Sequence, residues 1–133
     1  MTFLLDTHVW IWSQEAPDEL GEETRAALVE AGNSLSISTI STLEISRLVQ
    51  MGLVELSGSL GSWIQDALNL LQCDTIELSH EIAAKAYSLP SPLHKDPADR
   101  VLIATARALD LTLLTADGRI LSYSHVRSQD ARR

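Results

Sequence analysis

Four acids in this chain stand where their chemistry could be used: Asp6, Glu44, Asp99 and Asp117. Asp6 ends the apolar run TFLL, and Glu44 sits inside TISTLEISRLVQMG with Ile40 and Leu48 one turn away on either side. Asp99 closes the DPAD start of a long apolar stretch, and Asp117 lies in TADGR. Each has an ordinary structural role open to it. Asp6 could cap a following helix through the amide of His8 or Val9. Glu44 could be solvated, Asp99 could be half of a capping box behind Asp96 and Pro97, and Asp117 could serve an Asp-Gly turn.

Convergence would change that reading. Two carboxylates about 4 Å apart repel by about 4 kcal/mol at an effective dielectric near 20. Several together would consume much of a marginal stability of roughly 5–15 kcal/mol unless protons or a cation compensate. A site made of hard oxygen ligands favours Mg²⁺ or Mn²⁺. The four histidines are scattered without a paired spacing, which argues against zinc.

The elements that must position these acids follow from apolar periodicity. Residues 2–5 (TFLL) and 111–115 (LTLLT) read as buried strands, SLSIS (34–38) as an alternating one, and DTIEL (74–78) as a short one. THVWIWSQ starts a helix, and a second spans the segment holding Leu20, Ala27, Leu28 and Ala31. A third ends at Gly52, and a fourth carries the stripe Leu60, Trp63, Ile64, Ala67, Leu68, Leu71. A fifth begins behind Ser79, and the sixth, DPADRVLIATARAL, is apolar almost all round and starts behind Asp96. Alternating strands and helices predict an α/β fold with a mostly parallel sheet covered on both faces. Ligands of such folds gather beyond the carboxyl ends of the strands, where Asp6 and Asp117 both fall.

Bulk properties narrow the function classes. With 133 residues, one domain is expected. Ten basic against 18 acidic side chains leave a net charge of −8, which excludes a simple basic nucleic-acid-binding module. It does not exclude nucleic-acid chemistry in which bound cations supply the positive charge. No apolar run reaches the ~20 residues of a membrane span, and the opening MTFLLDTH carries no basic leader, so a cytoplasmic protein is expected. The single cysteine, Cys73, can form no internal disulfide and reads as a packing residue, and Trp10 and Trp12 read as packing or partner-interface residues. The acids Asp18, Glu19, Glu22 and Glu23 read as a solvated face, while His94, Lys95 and Arg100 cluster beside Asp99, where they could meet a phosphate backbone.

In combination, LLDTHVWIW, the Ser41-x-x-Glu44 helix, HKDPADRVLIATA and LLTADGRI resemble the PIN-domain ribonucleases, and specifically the VapC-like toxins of toxin–antitoxin pairs. The resemblance runs through nearly the whole chain, and ILSYSHVRSQDAR is similar to that family's last strand. It implies a single PIN domain over 1–133, endonucleolytic RNA cleavage dependent on Mg²⁺ or Mn²⁺, a cognate antitoxin that covers the site, and a homodimer. It also implies that Asp6, Glu44, Asp99 and Asp117 form the metal-binding catalytic quartet. Thr115 corresponds to a hydroxyl that orients the first acid, and Ser41 to a small polar neighbour of the Glu. A catalytically inactive PIN-like interaction protein is the competing expectation. A haloacid-dehalogenase-type phosphatase is disfavoured, because position 8, where it needs a second Asp, is His8.

Overall fold

The short apolar runs pair side by side. In the computed structural model, which describes residues 1–133, β1 (Thr2–Leu5) is followed by α1 (Thr7–Glu15), a short 3₁₀ turn at Pro17–Glu19, and α2 (Glu22–Val29). Next come β2 (Ser34–Ser38), α3 (Thr39–Gln50), α4 (Leu60–Leu71), β3 (Asp74–Ile76) and α5 (His80–Lys85). The chain finishes with α6 (Pro97–Leu109), β4 (Thr112–Thr115), α7 (Gly118–Leu121) and β5 (Ser128–Asp130). The five strands form one sheet in the order β3-β2-β1-β4-β5, and every pairing is parallel. The expected α/β architecture is therefore present.

Strand alternation explains the two-sided core. Phe3 and Leu5 face one way, with Leu35, Ile37 and Leu114, and meet Trp10, Ile45 and Trp63. Leu4 and Leu113 face the other way and meet Leu102, Ile103 and Ile120. The period of two along each strand delivers one apolar set to each helical layer. Trp10 is fully buried and lies edge-on to Trp63 at 5.1 Å, and Cys73 packs half-buried against the same cluster. Both behave as packing residues.

Helix boundaries follow their caps. Ser38, Ser59, Ser79 and Asp96 each accept a bond from an amide in the first turn of α3, α4, α5 and α6. Gly52 stands just past α3 at φ +70°, where a side chain would be strained. The expected strand 74–78 is shorter, ending at Ile76 as an exposed edge. The stretch expected as a last strand, residues 120–132, resolves into the end of α7, a turn and the three residues of β5. No helix is long and apolar enough to cross a membrane.

The strand order reverses direction at β1. The chain lays β2 and β3 on one side of it and β4 and β5 on the other. Leu5 pairs with Leu114, so β1 and β4 end side by side, and the Asp6 amide donates to the Leu114 carbonyl at 2.9 Å. The crevice of a doubly wound sheet opens at this point.

Candidate active site

Three of the four acids stand at helix N-termini. Asp6 caps α1, Asp99 lies in the first turn of α6, and Asp117 caps α7. Glu44 projects from the interior of α3. All four line one cleft of about 320 Å³, together with Asp96, His8, Trp12, Arg47 and Arg119. Unpaired backbone amides and the positive end of the helix dipole favour carboxylates there, which partly offsets their mutual repulsion. Capping and cleft-lining are therefore not rival roles in this protein.

Asp6 is the most constrained of the set. Its Oδ1 accepts from the amide of Thr7 at 2.7 Å, rather than from the expected His8 or Val9, and its Oδ2 accepts from the Thr115 hydroxyl at 2.7 Å. Burial pushes its carboxyl from the ordinary 3.8 up to about 6. The Thr115 and Thr7 bonds oppose that rise, while the neighbouring charges of Asp99 and Glu44 add to it. Thr115 also accepts from the Asp117 amide at 3.0 Å, so one buried hydroxyl ties the two strand-end acids together. Ser41 lies behind this group: its Oγ accepts from the Thr7 hydroxyl at 2.9 Å, pinning the start of α1 to α3.

Asp99 is buried, and its amide donates to Asp96 Oδ1 at 2.9 Å, which establishes Asp96 as the cap of α6. Burial raises the Asp99 carboxyl above its usual range, against a lowering contribution from His94, whose Nε2 lies 2.6 Å from Asp99 Oδ2. Asp117 is shifted down instead, chiefly because Arg119 holds it: Nε at 3.2 Å from Oδ1 and Nη2 at 2.9 Å from Oδ2. The same Nη2 stands 3.7 Å from Asp99 Oδ2, but the Arg119 side chain is 62% exposed, so solvent screens this contact.

Sequence reasoning misses one of these residues and gives another a different role. Arg119 gains no role from its place in LLTADGRI, although two residues after an N-cap Asp is a position from which an Arg can reach back. His94 is expected among the RNA contacts, yet its imidazole is turned onto Asp99. Possible ligand atoms of His94, Asp99 and Asp117 all lie within 4.8 Å of one another. The five-residue separation of His94 and Asp99 in a proline-marked loop has no periodicity that would flag it.

The other two residues of that cluster separate. Lys95 is exposed. Arg100 turns inward and donates to three backbone carbonyls, of His94 at 2.8 Å, Leu93 at 2.9 Å and Ala86 at 3.2 Å, with its guanidinium 4.7 Å from the Tyr87 ring centre. With its donors so engaged, Arg100 fastens the loop that carries His94.

The donor set suits a hard divalent cation. Five carboxylates, counting Asp96, line the cleft against the guanidiniums of Arg47 and Arg119. A buried carboxyl near a pKa of 6 is a group whose charged form lacks enough compensation from the protein alone. Oxygen donors of this kind match Mg²⁺ or Mn²⁺.

Known proteins are similar to this chain in sequence and in fold. The family model for the PIN domain matches residues 3–126. The chain is 33% identical over 126 residues to "Ribonuclease VapC22" of Mycobacterium tuberculosis, covering 95% of each chain. Its fold is similar to that in the crystal structure of VapBC2 from Rickettsia felis bound to a promoter DNA fragment, with a TM-score of 0.69, 18% identity, and 97% and 98% of the two chains covered. It is also similar to FitAcB from Neisseria gonorrhoeae, with a TM-score of 0.64, 21% identity and 97% of each chain covered.

Proposed function

The chain belongs to the PIN-domain family, and from that premise we propose that it is a divalent-metal-dependent endoribonuclease acting as the toxin of a toxin–antitoxin pair. The observation that carries the reading is the convergence of Asp6, Glu44, Asp99 and Asp117, from four distant segments, on one cleft. In this reading residues 1–133 form one PIN domain, and the four acids hold Mg²⁺ or Mn²⁺.

When bound, such a cation supplies positive charge to the phosphoryl oxygens and lowers the pKa of water at the site. The protein's own groups do the rest. Asp6 enters as a carboxylate whose two oxygens are already oriented by Thr7 and Thr115, so little reorganisation is needed on binding. His94 fixes the rotation of the Asp99 carboxyl through a bond to Oδ2. Arg119 neutralises Asp117 and reaches toward Asp99, so it stands where a guanidinium can meet a phosphate at the edge of the acids. Trp12, beside His8 at 5.9 Å, forms part of the wall.

The partners in this reading are RNA as substrate, a cognate antitoxin, and a second copy of the chain, with the protein in the cytoplasm. The antitoxin is supported by the solved relatives, which include a toxin–antitoxin complex from Klebsiella pneumoniae and a member of the VapBC family from Mycobacterium tuberculosis. The test is to incubate purified protein with mixed RNA in Mn²⁺, in EDTA, and with the Asp99→Asn variant. Cleavage is expected only for the wild type with metal. A folded wild type that leaves RNA intact in Mn²⁺ would favour the inactive interaction protein instead.

A further inference from the structure

The acidic cleft is continuous with a strip of different character. A second cleft, about 550 Å³, opens beside it and shares Arg119 with it; His94, which holds Asp99, forms another part of its wall. No carboxylate lines this second cleft. It passes at Ser124 and His125 into a third, about 410 Å³, whose wall includes Arg107 and Arg127. The one acid there, Asp110, is already paired with Arg127 at 2.9 Å. Arg119 is paired with Asp117 at the edge of the acids and Arg127 with Asp110, while Arg107 has no acid partner, so in a chain with net charge −8 this strip is a local region that is not acidic and carries one uncompensated guanidinium.

Shape and chemistry point the same way. Arg107 Nη1 donates to the His125 carbonyl at 2.6 Å, which fixes the turn on which Ser124 and His125 are presented. His125 is exposed, and its ring is backed by Tyr123 at 5.4 Å; Tyr123 is itself buried and anchored through its hydroxyl to the Pro90 carbonyl at 2.7 Å. An exposed ring on a rigid support, between guanidiniums, suits an unpaired base stacked beside its phosphates. Of its larger apolar side chains, Tyr123 and Leu111 are buried and Leu93 and Val126 half-buried, while Arg107, Arg119, Ser122, Ser124, His125 and Arg127 are exposed, which disfavours an amphipathic helix as its occupant.

We propose that the surface running from Arg119 through Ser124 and His125 to Arg107 and Arg127 is the path along which single-stranded RNA leaves the acidic cleft. This rests on the ribonuclease reading and adds to it where the flanking strand lies. The cations attract phosphates that the acids would repel, and the path ends at the carboxylates because Arg119 belongs to both.

Ser124 offers a clean test, since it is exposed, lines both flanking clefts, and lies between the cations. Ser124→Glu and Ser124→Lys place opposite charges on the path without touching the acids. Binding of a fluorescein-labelled single-stranded RNA is measured by anisotropy in EDTA over a salt series, and cleavage kinetics are measured in Mn²⁺. The Glu variant is expected to bind roughly 3- to 10-fold more weakly and the Lys variant more tightly by a similar factor. The slope of log K against log salt should change by about 0.7 per charge, and KM should shift in the same direction with kcat unchanged. If both variants match wild type in affinity, salt slope and KM, the path is wrong. Such a result would leave the ribonuclease reading standing, which fails only if wild type does not cleave. Substitutions that alter affinity for a partner protein while leaving RNA binding unmoved would also overturn the proposal.

Discussion

Replacing Asp6 by Asn removes a carboxylate whose charge the fold does not fully compensate. Burial lifts this carboxyl from 3.8 to about 6, so at neutral pH its ionised form costs ~3 kcal/mol relative to the unfolded chain, at 1.36 kcal/mol per pH unit. Asn still accepts from the Thr7 amide but disturbs the bond from Thr115, a loss of ~1 kcal/mol. The metal-free variant is therefore expected to be more stable than wild type by ~1–2 kcal/mol at pH 7, a rise in Tm on the order of 3–8 °C. The sign with pH follows from the raised pKa. Between about 4 and about 6 the folded wild type holds a proton that the unfolded chain has lost, so wild-type stability falls as pH rises through this window and levels off above it. Asp99, also shifted upward, acts in the same sense. Thermal melts in EDTA from pH 4 to 8 provide the assay: the advantage of the variant should be small at the acid end and full by pH 7. A variant less stable than wild type at pH 7, or a difference that ignores pH, would mean that burial does not penalise the Asp6 charge.

Two further substitutions probe the support around the acids. Thr115→Val keeps the side-chain shape but removes both the donor to Asp6 and the acceptor for the Asp117 amide; urea unfolding should show a loss of ~1–3 kcal/mol, with weaker metal binding as well. Arg100→Met leaves the carbonyls of Ala86, Leu93 and His94 without their shared donor and removes the contact with Tyr87, at a cost of ~2–4 kcal/mol. Hydrogen exchange should then show faster opening of residues 86–94 than of β1 or β4.

Legibility in the sequence differs from element to element for physical reasons. β1 and β4 are readable because both are buried on two faces and show as unbroken apolar runs. The sixth helix is readable because residues 101–106 are all buried while Asp96 and Pro97 mark its start. β3 and β5 are three-residue edge strands held largely by backbone pairing, and their side chains carry little pattern. At the site, each acid can be picked out by its place in its element, but the groups that tune it cannot. Thr115 lies 109 residues from Asp6 in sequence, and only the parallel pairing of β1 with β4 brings them together; the resemblance to a family, not periodicity, points to that hydroxyl. Arg119 and His94 act through side-chain reach across turns, which no helical or strand period encodes.

Calorimetric titration of Mn²⁺ into the metal-free protein at pH 7, with Asp6→Asn run alongside, bears most directly on whether these carboxylates are a cation site. Saturable binding by wild type that is strongly weakened in the variant, while the variant stays folded, is the expected result. A folded wild type that takes up no Mn²⁺ at millimolar concentration, or a variant that binds it equally well, would show that the four acids do not hold a cation.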